Sequence, residues 1–86
     1  MELSPRKQAV LAAVTSAYIK TGEPIGSKAL TLILKNAPSS ATLRNEMNEL
    51  CELGLLTQPH TSAGRIPTSR GFKLYVDMLM RPNKIS

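Results

Sequence analysis

Six prolines, at positions 5, 24, 38, 59, 67 and 82, mark out what this 86-residue chain can form. Proline has a fixed φ and no N–H. It therefore belongs in the first turn of a helix, just past a helix end, in a turn, or at a sheet edge. Regular elements must start or stop near each one. After Pro5, the apolar residues Val10, Leu11, Val14, Ala17 and Tyr18 recur at helical spacing and predict a first helix. Ser4 is its expected N-cap and Pro5 its first residue. Lys20, Gly22 and Pro24 supply a cation in the last turn, a glycine past the end and a stop. Ser27 is expected to cap a second, shorter helix through Ala29, Leu30, Ile33 and Leu34. Asn36-Ala37-Pro38-Ser39 reads as a turn, because the proline biases Ala37 away from helix.

Ser39 or Ser40 caps a third helix that runs to Leu53 and ends at Gly54. At 100° per residue, Leu43, Met47, Leu50 and Leu53 fall on one side. Ala41, Arg44, Asn45, Asn48 and Glu52 fall on the other, with Ser40 and Glu49 toward its margins. The first two turns thus expose small and polar groups, one guanidinium and no aliphatic bulk. Leu55-Leu56-Thr57 then suits a short strand, Gln58 to Gly64 is a polar loop, and Arg65-Ile66-Pro67 returns as a second strand. Thr68 is the expected cap of a fourth helix, with Phe72, Tyr75, Val76 and Leu79 pointing inward and Pro82 ending it. The expected fold class is mainly α with a small β-hairpin. Three helices, a two-stranded wing and a C-terminal helix make a winged helix-turn-helix. Residues 1–81 are expected to form one domain, and 82–86 a tail or the start of a linker.

The net charge of +5 is unevenly spread. Residues 36–56 carry Arg44 against Glu46, Glu49 and Glu52, whereas no acid occurs from Thr57 to Val76. Basic segments of this kind suit a polyanion, although a solvated surface explains them equally well. The chain has two tyrosines, one phenylalanine and no tryptophan, too few for an RNA or single-strand reader that stacks bases on aromatic platforms. The longest apolar run, Ala9 to Val14, is far short of a membrane span, and no secretory signal pattern opens the chain. One cysteine and one histidine build neither an internal disulfide nor a zinc site. Cys51 falls in a helical pattern and reads as an inert thiol. No nucleophile with a base nearby, paired carboxylates or glycine-rich phosphate loop is present. The chain therefore reads as a cytosolic protein and not an enzyme, with no catalytic residue, metal or cofactor.

A winged helix-turn-helix reads DNA with the second helix of its pair, whose N-terminal residues meet base edges in the major groove. Arg44 can pair bidentately with guanine O6 and N7, and Asn45 or Asn48 with adenine N6 and N7. Ala41 and Thr42 can lie against a thymine methyl. Ser39 and Ser40, with the free N–H groups of the helix, can bind a phosphate. In the wing, His60, Thr61, Ser62, Gly64 and Arg65 can lie on the backbone, or Arg65 can enter a narrow minor groove. Exposed asparagines and a lone arginine are also ordinary surface residues. The three glutamates of the third helix work against DNA unless they point away from it. Two other readings stay open: a winged-helix regulator of another operon, and a winged-helix module that binds protein. The second would be marked by an apolar patch on the third helix's outer face or on the wing.

The stretch SSATLRNEMNELCELGLLTQPHTSAGRIPT, with LSPRKQAVL and GEPIGSKAL before it and Gly71-Phe72 and Tyr75-Val76-Asp77 after it, resembles the N-terminal DNA-binding domain of the HrcA family of heat-inducible transcription repressors. The resemblance runs over roughly residues 3–80. It implies a bacterial repressor of heat-shock and chaperone operons, bound to double-stranded DNA at an inverted-repeat operator. It also implies a homodimer in the full-length family, a chaperonin as regulatory partner, and residence in the cytoplasm at the nucleoid. By position, Ser40, Thr42, Arg44, Asn45 and Asn48 would face the operator and His60 to Arg65 would flank it. Family members continue into a dimerisation and regulatory region, so heat sensing and chaperonin control are not assigned to these 86 residues. The segment TLILKNAP is more apolar than the polar stretch expected of the family there.

Overall fold

The computed structural model describes residues 3–60 and 62–80. The chain runs through α1 (Pro5–Thr21), α2 (Ser27–Ile33), α3 (Ser40–Glu52), β1 (Leu56–Thr57), β2 (Ile66–Pro67) and α4 (Ser69–Met80). β1 and β2 pair antiparallel, with Leu56 opposite Pro67 and Thr57 opposite Ile66. Four helices and a two-stranded wing are the winged-helix order expected from the sequence.

Local chemistry sets most boundaries. Ser4 caps α1 by accepting from the Lys7 N–H at 3.2 Å, and the Gly22 N–H closes it onto the Tyr18 carbonyl at 2.7 Å. Ser39 caps α3 by accepting from the Thr42 N–H at 3.2 Å. α2 departs from expectation: Gly26 is its N-cap and Ser27 is already helical, making no side-chain cap. The reason lies just upstream. Ile25 is pinned in extended form by two backbone bonds to Arg65, at 3.0 and 2.9 Å, so the helix starts after the next residue.

The core is Val10, Leu11 and Val14 from α1, Leu30 from α2, Leu43, Met47 and Leu50 from α3, and Ile25, Leu55 and Leu56 from the connections and wing. Each fully buried leucine contributes roughly 2–3 kcal/mol by leaving water. The apolar side of α3 lies as its periodicity predicts, except that Leu53, past the last turn, is half exposed. Leu32 and Ile33 of the apolar TLILKNAP segment stand outside the core.

α4 corrects the sequence reading. Val76 and Leu79 are exposed, at 45% and 66%, and Phe72 and Tyr75 are half-buried. The inward face is instead Gly71, Leu74 and Met78. A Cβ on Gly71 would lie 2.0 Å from the Leu55 carbonyl oxygen, so α4 approaches the wing strand backbone to backbone there. That contact fixes the rotation of the helix. Thr68 reinforces it: its hydroxyl donates to the Gly54 carbonyl at 2.7 Å and accepts from the Gly71 N–H at 3.0 Å. The expected stop at Pro82 and the tail at 82–86 lie outside the described residues.

Candidate nucleic-acid interface

α3 presents two unlike sides. Its outer side carries Ala41, Arg44, Asn45, Asn48 and Glu52, all exposed. Ser40 and Thr42 are half-buried at its start. The Ser39 hydroxyl is occupied by capping and by a bond to the Thr42 hydroxyl at 3.1 Å. Among the described residues, Arg44 pairs with no carboxylate, so its guanidinium is free to meet a ligand.

The glutamates are turned elsewhere. Lys7 of α1 lies 3.0 Å from Glu46 and also bonds Glu49, and Arg6 stands 3.9 Å from Glu46. Two of the three carboxylates that would repel phosphate are thereby neutralised on the α1 flank. The bond to Glu49, and then that to Glu46, holds the Lys7 ammonium above its ordinary value of 10.5. A raised pKa stabilises the fold fully below the unfolded value and loses that contribution as pH climbs through the folded one. Stability is therefore expected to fall above pH 10.5, and Lys7→Met should flatten that limb. Superimposable alkaline unfolding curves for the two proteins would show that the triad contributes nothing.

A cleft of about 490 Å³ opens beside Arg44. Ser40 and Arg44 of α3 line it together with Ser27 and Lys28 of α2, and Gln58 and Arg65 of the wing. Three cations thus gather where α2, α3 and the wing converge. Ser27, Lys28 and Gln58 were not singled out from sequence. The signal was present in Gly26-Ser27-Lys28, a small, basic opening to the helix that precedes α3 in the helix-turn-helix pair. It stayed hidden because Ser27 reads as a cap and Lys28 as a solvated surface cation.

The wing residues are not equivalent. His60 is exposed, while Ser62 is half-buried and accepts from the Gly64 N–H at 2.9 Å. Thr61 lies outside the described residues. Gly64 is buried, and a Cβ there would sit 2.9 Å from backbone atoms of Pro24 and Ile25. Arg65, read from sequence as lying on the DNA backbone or entering a narrow minor groove, is only 8% exposed. Its Nη2 donates to the Asn48 side-chain oxygen at 2.6 Å and its Nη1 to the Ala63 carbonyl. The structure thus brings Ser40, Arg44, Asn48 and Arg65 to one region and places Arg65 beneath the wing surface.

No large apolar residue is exposed on the outer side of α3 or on the described part of the wing; the exposed ones lie on α1, α2 and α4 and at Leu53. Among the described residues no helix is long and apolar enough to cross a membrane, and no His, Cys, Asp or Glu cluster could hold a metal.

Residues 2–78 match the family model described as winged helix-turn-helix transcription repressor, HrcA DNA-binding. The chain is 56% identical over 82 residues to the heat-inducible transcription repressor HrcA of Moorella thermoacetica, covering 95% of this chain and 24% of that protein. It is 51% identical over 86 residues to the same-named protein of Pelotomaculum thermopropionicum, covering 100% of this chain and 25% of that one. A crystal structure of a hypothetical protein at 2.2 Å resolution superimposes with a TM-score of 0.86 at 40% identity, over 90% of this chain and 25% of that one. The chain spans about a quarter of the length of the curated relatives it matches. The wing, the polar outer side of α3 and these matches together place the chain in the HrcA family of winged helix-turn-helix DNA-binding domains.

Proposed function

We propose that the chain is the DNA-reading part of a transcription repressor of heat-shock and chaperone operons, acting on double-stranded DNA at an inverted-repeat operator. The observation that carries this reading is the cleft beside α3, where Lys28, Arg44 and Arg65 converge while Glu46 and Glu49 turn to α1. The names of the relatives agree with it. The N-terminal half of α3 enters the major groove. Arg44 takes guanine, Asn45 takes adenine, and Thr42 with Ala41 packs on a thymine methyl. Ser40 donates to a phosphate, Ser39 orders the helix start, and Lys28 neutralises the adjoining backbone. His60, Thr61 and Ser62 run along the flanking strand, and Gly64 and Arg65 form the base of the wing. Two copies, dimerised in the longer protein, sit on half-sites about one turn apart or a multiple of it, and exclude RNA polymerase. The site of action is the bacterial cytoplasm at the nucleoid. Control by a chaperonin is not assigned to these 86 residues.

Fluorescence anisotropy with a labelled duplex tests the reading. A single domain that neutralises about 4–5 phosphates should bind at about micromolar affinity, with a log–log salt slope near −4. Binding that ignores salt, or none at low salt, would overturn it.

A further inference from the structure

Two sequence segments about 40 positions apart meet at the base of the wing: Gly22-Glu23-Pro24-Ile25-Gly26 and Ala63-Gly64-Arg65-Ile66-Pro67. Ile25 and Arg65 exchange both backbone bonds, and Gly64 lies so close to Pro24 and Ile25 that no side chain fits there. The wing's return strand is therefore fastened to the connection between α1 and α2. The Arg65 side chain makes a second attachment, reaching across to Asn48 on the outer side of α3. Its orientation leaves no ambiguity in the asparagine amide: a guanidinium has only donors, so the side-chain oxygen of Asn48 must face it.

That bond changes what Asn48 can do. Bidentate pairing with adenine needs the amide oxygen to accept from N6 while the amide nitrogen donates to N7. With the oxygen held at 2.6 Å by Arg65, one of its two lone pairs is taken and the amide is tied toward the base of the wing, so Asn48 is not free to turn and offer both groups to an adenine. Arg65 is likewise held in place, with each terminal nitrogen bonded once and the side chain buried. We propose that Asn48 and Arg65 form a positioning clasp that sets the wing against the recognition helix α3, and that neither reads a base. The proposal rests on the DNA-binding reading for its purpose, but the mechanical link can be tested without DNA.

Amide hydrogen exchange tests the link. Asn48→Ala leaves an exposed helical position and keeps the fold, and it should speed exchange of the Arg65 N–H about tenfold by loosening the strand bonded to Ile25. Asn48→Asp keeps an acceptor for the guanidinium and should restore slow exchange. Unchanged exchange in Asn48→Ala would overturn the clasp, whether or not the chain binds DNA. The second arm is a double-mutant cycle with selection from a pool of randomised duplexes, using Arg65→Met to keep the buried stem. Asn48→Ala and Arg65→Met should each weaken binding about tenfold, the double variant no further, and the selected sequence should stay the same. Losses that multiply, or a relaxed base preference in Asn48→Ala alone, would make Asn48 a base reader and overturn the proposal. If the parent chain bound no duplex, the DNA reading would fail, and the exchange arm would still decide the clasp.

Discussion

Gly71→Ala is expected to destabilise the domain by about 3 kcal/mol, the upper end of what an overfilled site costs. The sign is the informative part. Alanine is the better helix former by about 1 kcal/mol, so propensity alone predicts a gain. The geometry predicts a loss, because the added methyl would stand 2.0 Å from the Leu55 carbonyl oxygen, a backbone atom that cannot swing aside. To relieve the clash, α4 must move off the wing strand, and the Thr68 bonds to Gly54 and Gly71 must stretch with it. For a domain of this size the loss corresponds to a drop in Tm of about 12–24 °C. A melt that stayed level or rose would mean that α4 packs in another rotation.

Arg44→Ala is expected to weaken duplex binding by about 1–3 kcal/mol and to relax preference at one base pair, the signature of a lost bidentate guanine contact. The stability of the domain should not change, since the side chain is exposed and pairs with no carboxylate among the described residues. Lys28→Ala should contrast with it. Losing a phosphate contact lowers affinity for all sequences alike and reduces the salt slope by about one. Competition titrations against duplexes with single substitutions separate the two patterns. Equal losses on every duplex for Arg44→Ala would move α3 out of the major groove.

α3 was legible in the sequence because a single helix with one apolar side has one way to lie. Leu43, Met47 and Leu50 had to be buried, and Arg44, Asn45 and Asn48 had to face out. The wing was legible from its prolines and its polar loop. α4 was misread because its apolar stripe through Phe72, Val76 and Leu79 suggested a core face, whereas a glycine set the packing. Periodicity counts apolar side chains and is blind to a contact made by having none. The burial of Arg65 was hidden for a similar reason. A cation in a polar loop reads as exposed, and nothing local reveals that Ile25 will pair with its backbone and Asn48 with its side chain. The cleft's second wall, Ser27 and Lys28, is likewise a product of tertiary convergence.

Mapping backbone amide shifts by NMR during titration with a short duplex tests the central claim most directly. The account predicts that the perturbed amides cluster at Lys28, Ser40, Arg44, Asn45, Gln58 and the wing, with α4 silent. Perturbations centred on the exposed Val76, Leu79 and Met80 of α4, or none at any duplex concentration, would contradict it.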